Sequence, residues 1–214
     1  MGRIKKGILG GFSGTVGNVV GANWKSIAYM RSLPQKVKNP KTEAQQEQRS
    51  KFAIALHWLK PMTVFLRTGW KQYAHRQSEF NAAMSYTLAN AIIGNYPNYF
   101  IVESKVLVSR GTLTPPIGAT ASLTSGTLTV TWNNNSGTGT AQATDKTLIA
   151  VLNPQKGEAV TIIDGAKRNA TSQTVALPAT AWMADTVHFY FGFISDNNKE
   201  VSNSVYLGNT VVTS

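Results

Sequence analysis

The chain has 214 residues, 42% of them hydrophobic and 14% charged, which excludes a charge-rich disordered chain or a coiled coil and leaves room for two small domains. It has no cysteine, so disulfides, thiolate metal sites and cysteine nucleophiles are excluded together. The formal net charge of +11 favours anionic partners: nucleic acid, lipid headgroups or an acidic protein surface.

The first twelve residues, Met1 to Phe12, are basic and then apolar, but glycines break the apolar run below the length of a signal-peptide core. No stretch approaches the roughly 18 apolar residues of a membrane span, so a protein without a cleaved leader or membrane span is expected, cytoplasmic or in a virion. Glycines at 2, 7, 10, 11, 14, 17 and 21 lie among β-branched and aromatic residues, a density that implies bends and close backbone approach. Thr15–Gly21 and Ser26–Arg31 are expected as two strands of a hairpin, with Ala22-Asn23-Trp24-Lys25 connecting them. Strands this weak need a neighbour, which makes Gly10, Gly11, Gly14, Gly17 and Trp24 the candidate self-assembly residues.

Residues 34–41 form a basic loop bracketed by prolines, and Thr42-Glu43-Ala44-Gln45 fits a capping box. Phe52, Ala55, Leu56 and Leu59 recur at helical spacing, predicting a first helix over about 42–60. Pro61 suits the first position of a second helix with Met62, Phe65, Leu66, Trp70 and Tyr73 on its apolar face. Ser78 caps a third, whose Phe80, Ala83, Met84, Leu88 and Ile92 face one way and which Gly94 ends; Tyr99–Val108 returns as a strand.

Residues 1–112 hold sixteen Lys and Arg against four Asp and Glu, whereas 113–214 hold five against six, so the basic character lies in the first part. The Gly111-Thr112-Leu113-Thr114-Pro115-Pro116 run reads as a linker. Beyond it, alternating runs at 117–123, 127–133, 146–152, 159–163, 173–177, 186–194 and 201–207 predict an antiparallel sandwich of about seven strands, with Leu128, Val130 and Trp132 on its core face. The expected fold class is thus an α+β domain over 1–112, three helices plus a glycine-rich β-hairpin, a linker over 113–116, and an all-β sandwich over 117–214. Trp132 closing the second strand, Leu177-Pro178 before the sixth and Ser202-Asn203-Ser204 entering the last resemble a fibronectin type III module, without that family's corner tyrosine.

His57, His75 and His188 show neither an i,i+4 pair nor a carboxylate cluster, so structural or surface histidines are expected and no metal site. Gly17-Asn18-Val19-Val20-Gly21 lacks the Gly-Lys-Ser/Thr ending of a phosphate loop. Glu43, Glu47, Glu79 and Glu103, the acids of the basic part, form no close pair, and a protein without catalytic residues or cofactors is expected.

Lys36, Lys38 and Lys41 on the loop, Arg49 and Lys51 on the first helix, and Arg67, Lys71 and Arg76 beyond it form a candidate contact surface for nucleic acid or a protein partner. Trp24, Tyr29, Trp58 and Trp70 are the aromatics interleaved with it. The run from Tyr29-Met30-Arg31 through Asn39-Pro40-Lys41-Thr42 to Gln45, Arg49 and Phe52 resembles an Asn-Pro-Arg-Thr-x-x-Gln-x-x-x-Arg-x-x-Phe signature of uncharacterised bacterial and prophage-encoded proteins, some near virion structural genes, with Lys41 for the arginine. The resemblance implies a structural component that joins other protein subunits as a homo-oligomer or in virion assembly; nucleic-acid binding is the alternative.

Overall fold

Two closely spaced hairpins shape the start of the chain. Gly17 takes φ +57 between β2 (Phe12–Val16) and β3 (Val19–Trp24), a left-handed value that glycine adopts without steric cost. A second turn joins β3 to β4 (Ile27–Ser32), β1 (Arg3–Ile4) pairs with β2, and the antiparallel order is β1-β2-β3-β4. The strand expected over 15–21 therefore contains a turn, and residues 22–24 continue β3 instead of connecting two strands; Gly17-Asn18 is itself a hairpin signal. In this computed structural model the described residues are 2–4, 10–24, 26–35 and 41–213. They divide into two units, Met1–Thr42 and Glu43–Ser214. Among the described residues of the first there is one sheet, with no helix and no second sheet.

In the second unit, α1 (Glu43–Leu59) passes through a 3-10 turn at Lys60–Met62 into α2 (Thr63–Gly69), so that 43–69 is one helical run. Pro61 lacks the N–H an α-helix interior uses, and the backbone tightens there without leaving helical geometry. Ser78 Oγ accepts the Asn81 N–H at 3.2 Å and opens α3 (Glu79–Asn90). Gly94 does not cap that helix: it sits at φ +106 in β5 (Ile92–Asn95), paired with Tyr99 of β6 (Asn98–Ile101). The core stripe of the helical run is Ala55, Trp58, Leu59, Met62, Phe65 and Leu66, whereas Phe52 is exposed.

Seven strands follow: β7 (Ile117–Thr124), β8 (Thr127–Asn133), β9 (Lys146–Asn153), β10 (Glu158–Ile162), β11 (Ser172–Ala176), β12 (Thr186–Ile194) and β13 (Val205–Val211). They form a three-stranded sheet, β11-β8-β7, and a four-stranded sheet, β10-β9-β12-β13. Leu128, Val130 and Trp132 pack with Ile149, Val151, Phe189, Phe191 and Phe193 between the sheets. The other face of the four-stranded sheet packs Leu148, Ala150, Leu152, Tyr190 and Ile194 into one core with the helices. Buried on both sides, β9 and β12 carry continuous apolar runs, Leu148–Leu152 and Phe189–Phe193, instead of alternation.

This overturns the expected fold class. The described residues are mostly β, with four sheets and two helical stretches, and the helices and the N-terminal hairpin fall in different units. The helices and both sandwich sheets share the second unit, and no seam lies at 113–116. Leu113 is buried, its N–H donates to the Val201 carbonyl at 3.1 Å, and Ser109 Oγ donates to the Ser202 carbonyl at 2.9 Å. A run rich in glycine and proline reads as a linker, but here it is an extended strap whose backbone bonds to the Val201 carbonyl and to the side chains of Gln72, Asn135, Thr140, Arg168 and Asn203.

Candidate functional site

Register assigns the side chains of the N-terminal sheet to two faces. Thr15 lies opposite Val20, Val20 opposite Arg31, Ala22 opposite Tyr29 and Trp24 opposite Ile27; with Arg3 opposite Ser13, these share one face. Phe12, Val16, Val19, Gly21, Asn23, Ala28, Met30 and Ser32 share the other, where the Phe12 ring lies over Gly21 and leaves no room for a Cβ. Trp24 is 61% exposed and Met30 70%, and Val16, Val19, Ile27 and Tyr29 are exposed as well. Four strands of one layer therefore show large apolar side chains on both faces, an arrangement that is marginal in water without a second layer.

The faces differ in chemistry. The Met30 face has no charged side chain among the described residues and holds an apolar depression of about 360 Å³ lined by Gly2, Phe12, Val16, Val19 and Met30. On the Trp24 face, Arg3 and Arg31 stand among Ser13, Thr15 and the two exposed aromatics. Residues 1–42 carry eight Lys and Arg and no Asp or Glu, leaving thirteen and ten in 43–214. The cationic block without acids therefore ends at the unit boundary, not at the Pro115-Pro116 pair.

The sequence-predicted contact residues lie in different surroundings. Lys36 and Lys38 lie outside the described residues, and Lys41 and Arg49 are exposed in different units. Lys51 Nζ is 2.6 Å from Glu47 Oε1 and 4.7 Å from the centre of the Tyr99 ring. The hydrogen bond between them holds the Glu47 carboxyl below its ordinary range and raises the Lys51 ammonium. Arg67 and Lys71 come together at a depression of about 340 Å³, shared with Glu79 and Asp164, which offset their charge. Trp58 and Trp70 are core residues and offer no ring for stacking. Of the self-assembly residues, Gly10 and Gly11 precede β2, Gly14 is in β2, Gly17 makes the turn and Trp24 ends β3. Tyr29 and Arg31 complete the surface around Trp24, and alternation about the Gly17 turn was the signal that places them together.

The polar groups inside the second unit are occupied structurally. Arg168 is fully buried: Nε donates to Asp145 Oδ2 at 3.1 Å, one terminal nitrogen to Asn135 at 2.6 Å, the other to the Thr114 carbonyl at 2.9 Å. His188 is buried edge-to-face against Trp58, with Nδ1 2.9 Å from the Tyr206 hydroxyl. Burial lowers its pKa, so the ring is held neutral. The Tyr190 hydroxyl accepts from Trp58 and donates to the Glu103 carbonyl at 3.0 Å, and burial pushes its pKa well up. His57 Nε2 donates to the Pro154 carbonyl at 2.9 Å, and His75 is exposed. Among the described residues no group of three or more His, Asp or Glu could hold a metal ion, and no helix is long and apolar enough to cross a membrane.

A comparison with curated proteins gives no match. A family match runs over residues 11–208, from the residue before β2 into β13, and so covers both units. The chain belongs to DUF6266, a family of unknown function.

Proposed function

We propose that the protein is a non-enzymatic assembly protein that joins a second copy through the uncharged face of its N-terminal sheet. One observation carries this reading: Val16, Val19 and Met30 stand exposed around an apolar depression on a sheet that has no second layer among the described residues of its unit. Two such faces laid together make a sandwich with sheets about 10 Å apart and remove both from water. The absence of charge among the described residues of this face lets a cationic unit meet its own copy there. The three-plus-four strand order of 117–211 supports the resemblance to fibronectin-type modules, which suits a folded body in a structural protein.

Light scattering on the full chain tests the reading. A mass above the monomer is expected at micromolar concentration, falling to the monomer in Met30→Asp and Val19→Asp, where association would bury an unpaired carboxylate. A monomer throughout, or an oligomer indifferent to both substitutions, would overturn it.

A further inference from the structure

We infer that the opposite face of the N-terminal sheet, around Trp24, Tyr29 and Arg31, binds single-stranded nucleic acid. Three observations converge. The unit has eight cationic residues and no acid, so no carboxylate of its own neutralises Arg3 or Arg31, and a polyanion is the complementary partner. Trp24 and Tyr29 stand exposed on this face as a diagonal cross-strand pair, from the register Ala22 opposite Tyr29 and Trp24 opposite Ile27, roughly 7–8 Å apart at the backbone. The hydroxyls of Ser13 and Thr15, on the same face by register, add donors suited to phosphate and sugar.

The aromatics choose among polyanions. An acidic peptide offers carboxylates but no flat ring surface to lay on indole and phenol, whereas every nucleobase does. A duplex keeps its bases stacked on one another, so only a single strand can use both rings and the guanidinium of Arg31 together. A second copy is disfavoured here because it would set Arg3 and Arg31 against the same cations.

The test uses the full chain with fluorescein-labelled (dT)20, following anisotropy and intrinsic tryptophan emission. Trp24 is the exposed tryptophan, the other four being buried, so binding should quench the solvent-exposed emission. Trp24→Ser and Tyr29→Ser should each weaken binding about tenfold, within the range for loss of one base–aromatic stack, and Trp24→Phe should restore most of it. Arg31→Ser should weaken binding and lower the slope of log affinity against log salt by about 0.7. Met30→Asp, on the other face, should leave affinity per chain unchanged, so self-assembly and strand binding fail separately. No binding at about 50 mM salt overturns the inference, as does binding indifferent to Trp24→Ser and Tyr29→Ser. Equal affinity for a 20-base-pair duplex or heparin also overturns it, because charge alone would then explain it.

Discussion

The two four-stranded sheets differ in what covers them. In β10-β9-β12-β13, residues 147–153 of β9 are all buried, between helices on one side and the three-stranded sheet on the other. In β1-β2-β3-β4, all of β4 is exposed. A sheet is stabilised by the layers on its faces more than by its ladder, since strand hydrogen bonds exchange for bonds to water at little net gain. The sandwich sheet therefore has its stability built in, whereas the large side chains of β4 in the N-terminal sheet face solvent.

The most deeply committed group of the closed unit is Arg168, which is fully buried. Arg168→Ala should cost about 3–5 kcal/mol in urea unfolding, because the buried Asp145 carboxylate loses its counter-charge; a loss below 1 kcal/mol would break the picture of a closed second unit. Leu152→Ala, beneath the helices, should cost about 2–5 kcal/mol through lost burial and the cavity left behind.

His188 gives a smaller, pH-dependent effect. Its folded pKa is lowered by burial, so the unfolded chain takes up the proton first and stability falls as pH drops below about 6.5. The slope should reach at most about 1.4 kcal/mol per pH unit and flatten in His188→Gln. The groups around the ring are Trp58, Tyr206 and the more distant Glu103, whose charge opposes the shift without cancelling it.

The smallest stability effect belongs to the open sheet. Trp24→Ser should change unfolding by no more than about 0.5 kcal/mol, since a mostly exposed ring loses little on removal, while its effect on binding is the larger one. A Trp24→Ser variant with a fall of several kcal/mol would show that the ring is already covered.

Much of the local structure was legible in the sequence. Turn chemistry and apolar runs located the strand segments between 117 and 194 to within a residue or two, and the Ser78 cap located the start of α3. The continuous runs Leu148–Leu152 and Phe189–Phe193 also announce strands covered on both faces, a signal that an alternating pattern for every strand does not contain. The candidate site was half legible: Trp24 and the glycines stood out, but Tyr29 and Arg31 join Trp24 only once Gly17 is taken as a turn and the register follows.

By itself, then, the sequence determined where backbone punctuation falls, which residues must leave water, and that cations crowd the first 42 positions, because these follow from glycine, proline, hydropathy and charge at each position. Tertiary structure alone decided that the helices cover one face of the four-stranded sandwich sheet, and that 113–116 is a strap. Hydrophobic attraction has no direction, so an apolar stripe states that it must be covered but not by what; the covering is fixed only when whole surfaces meet.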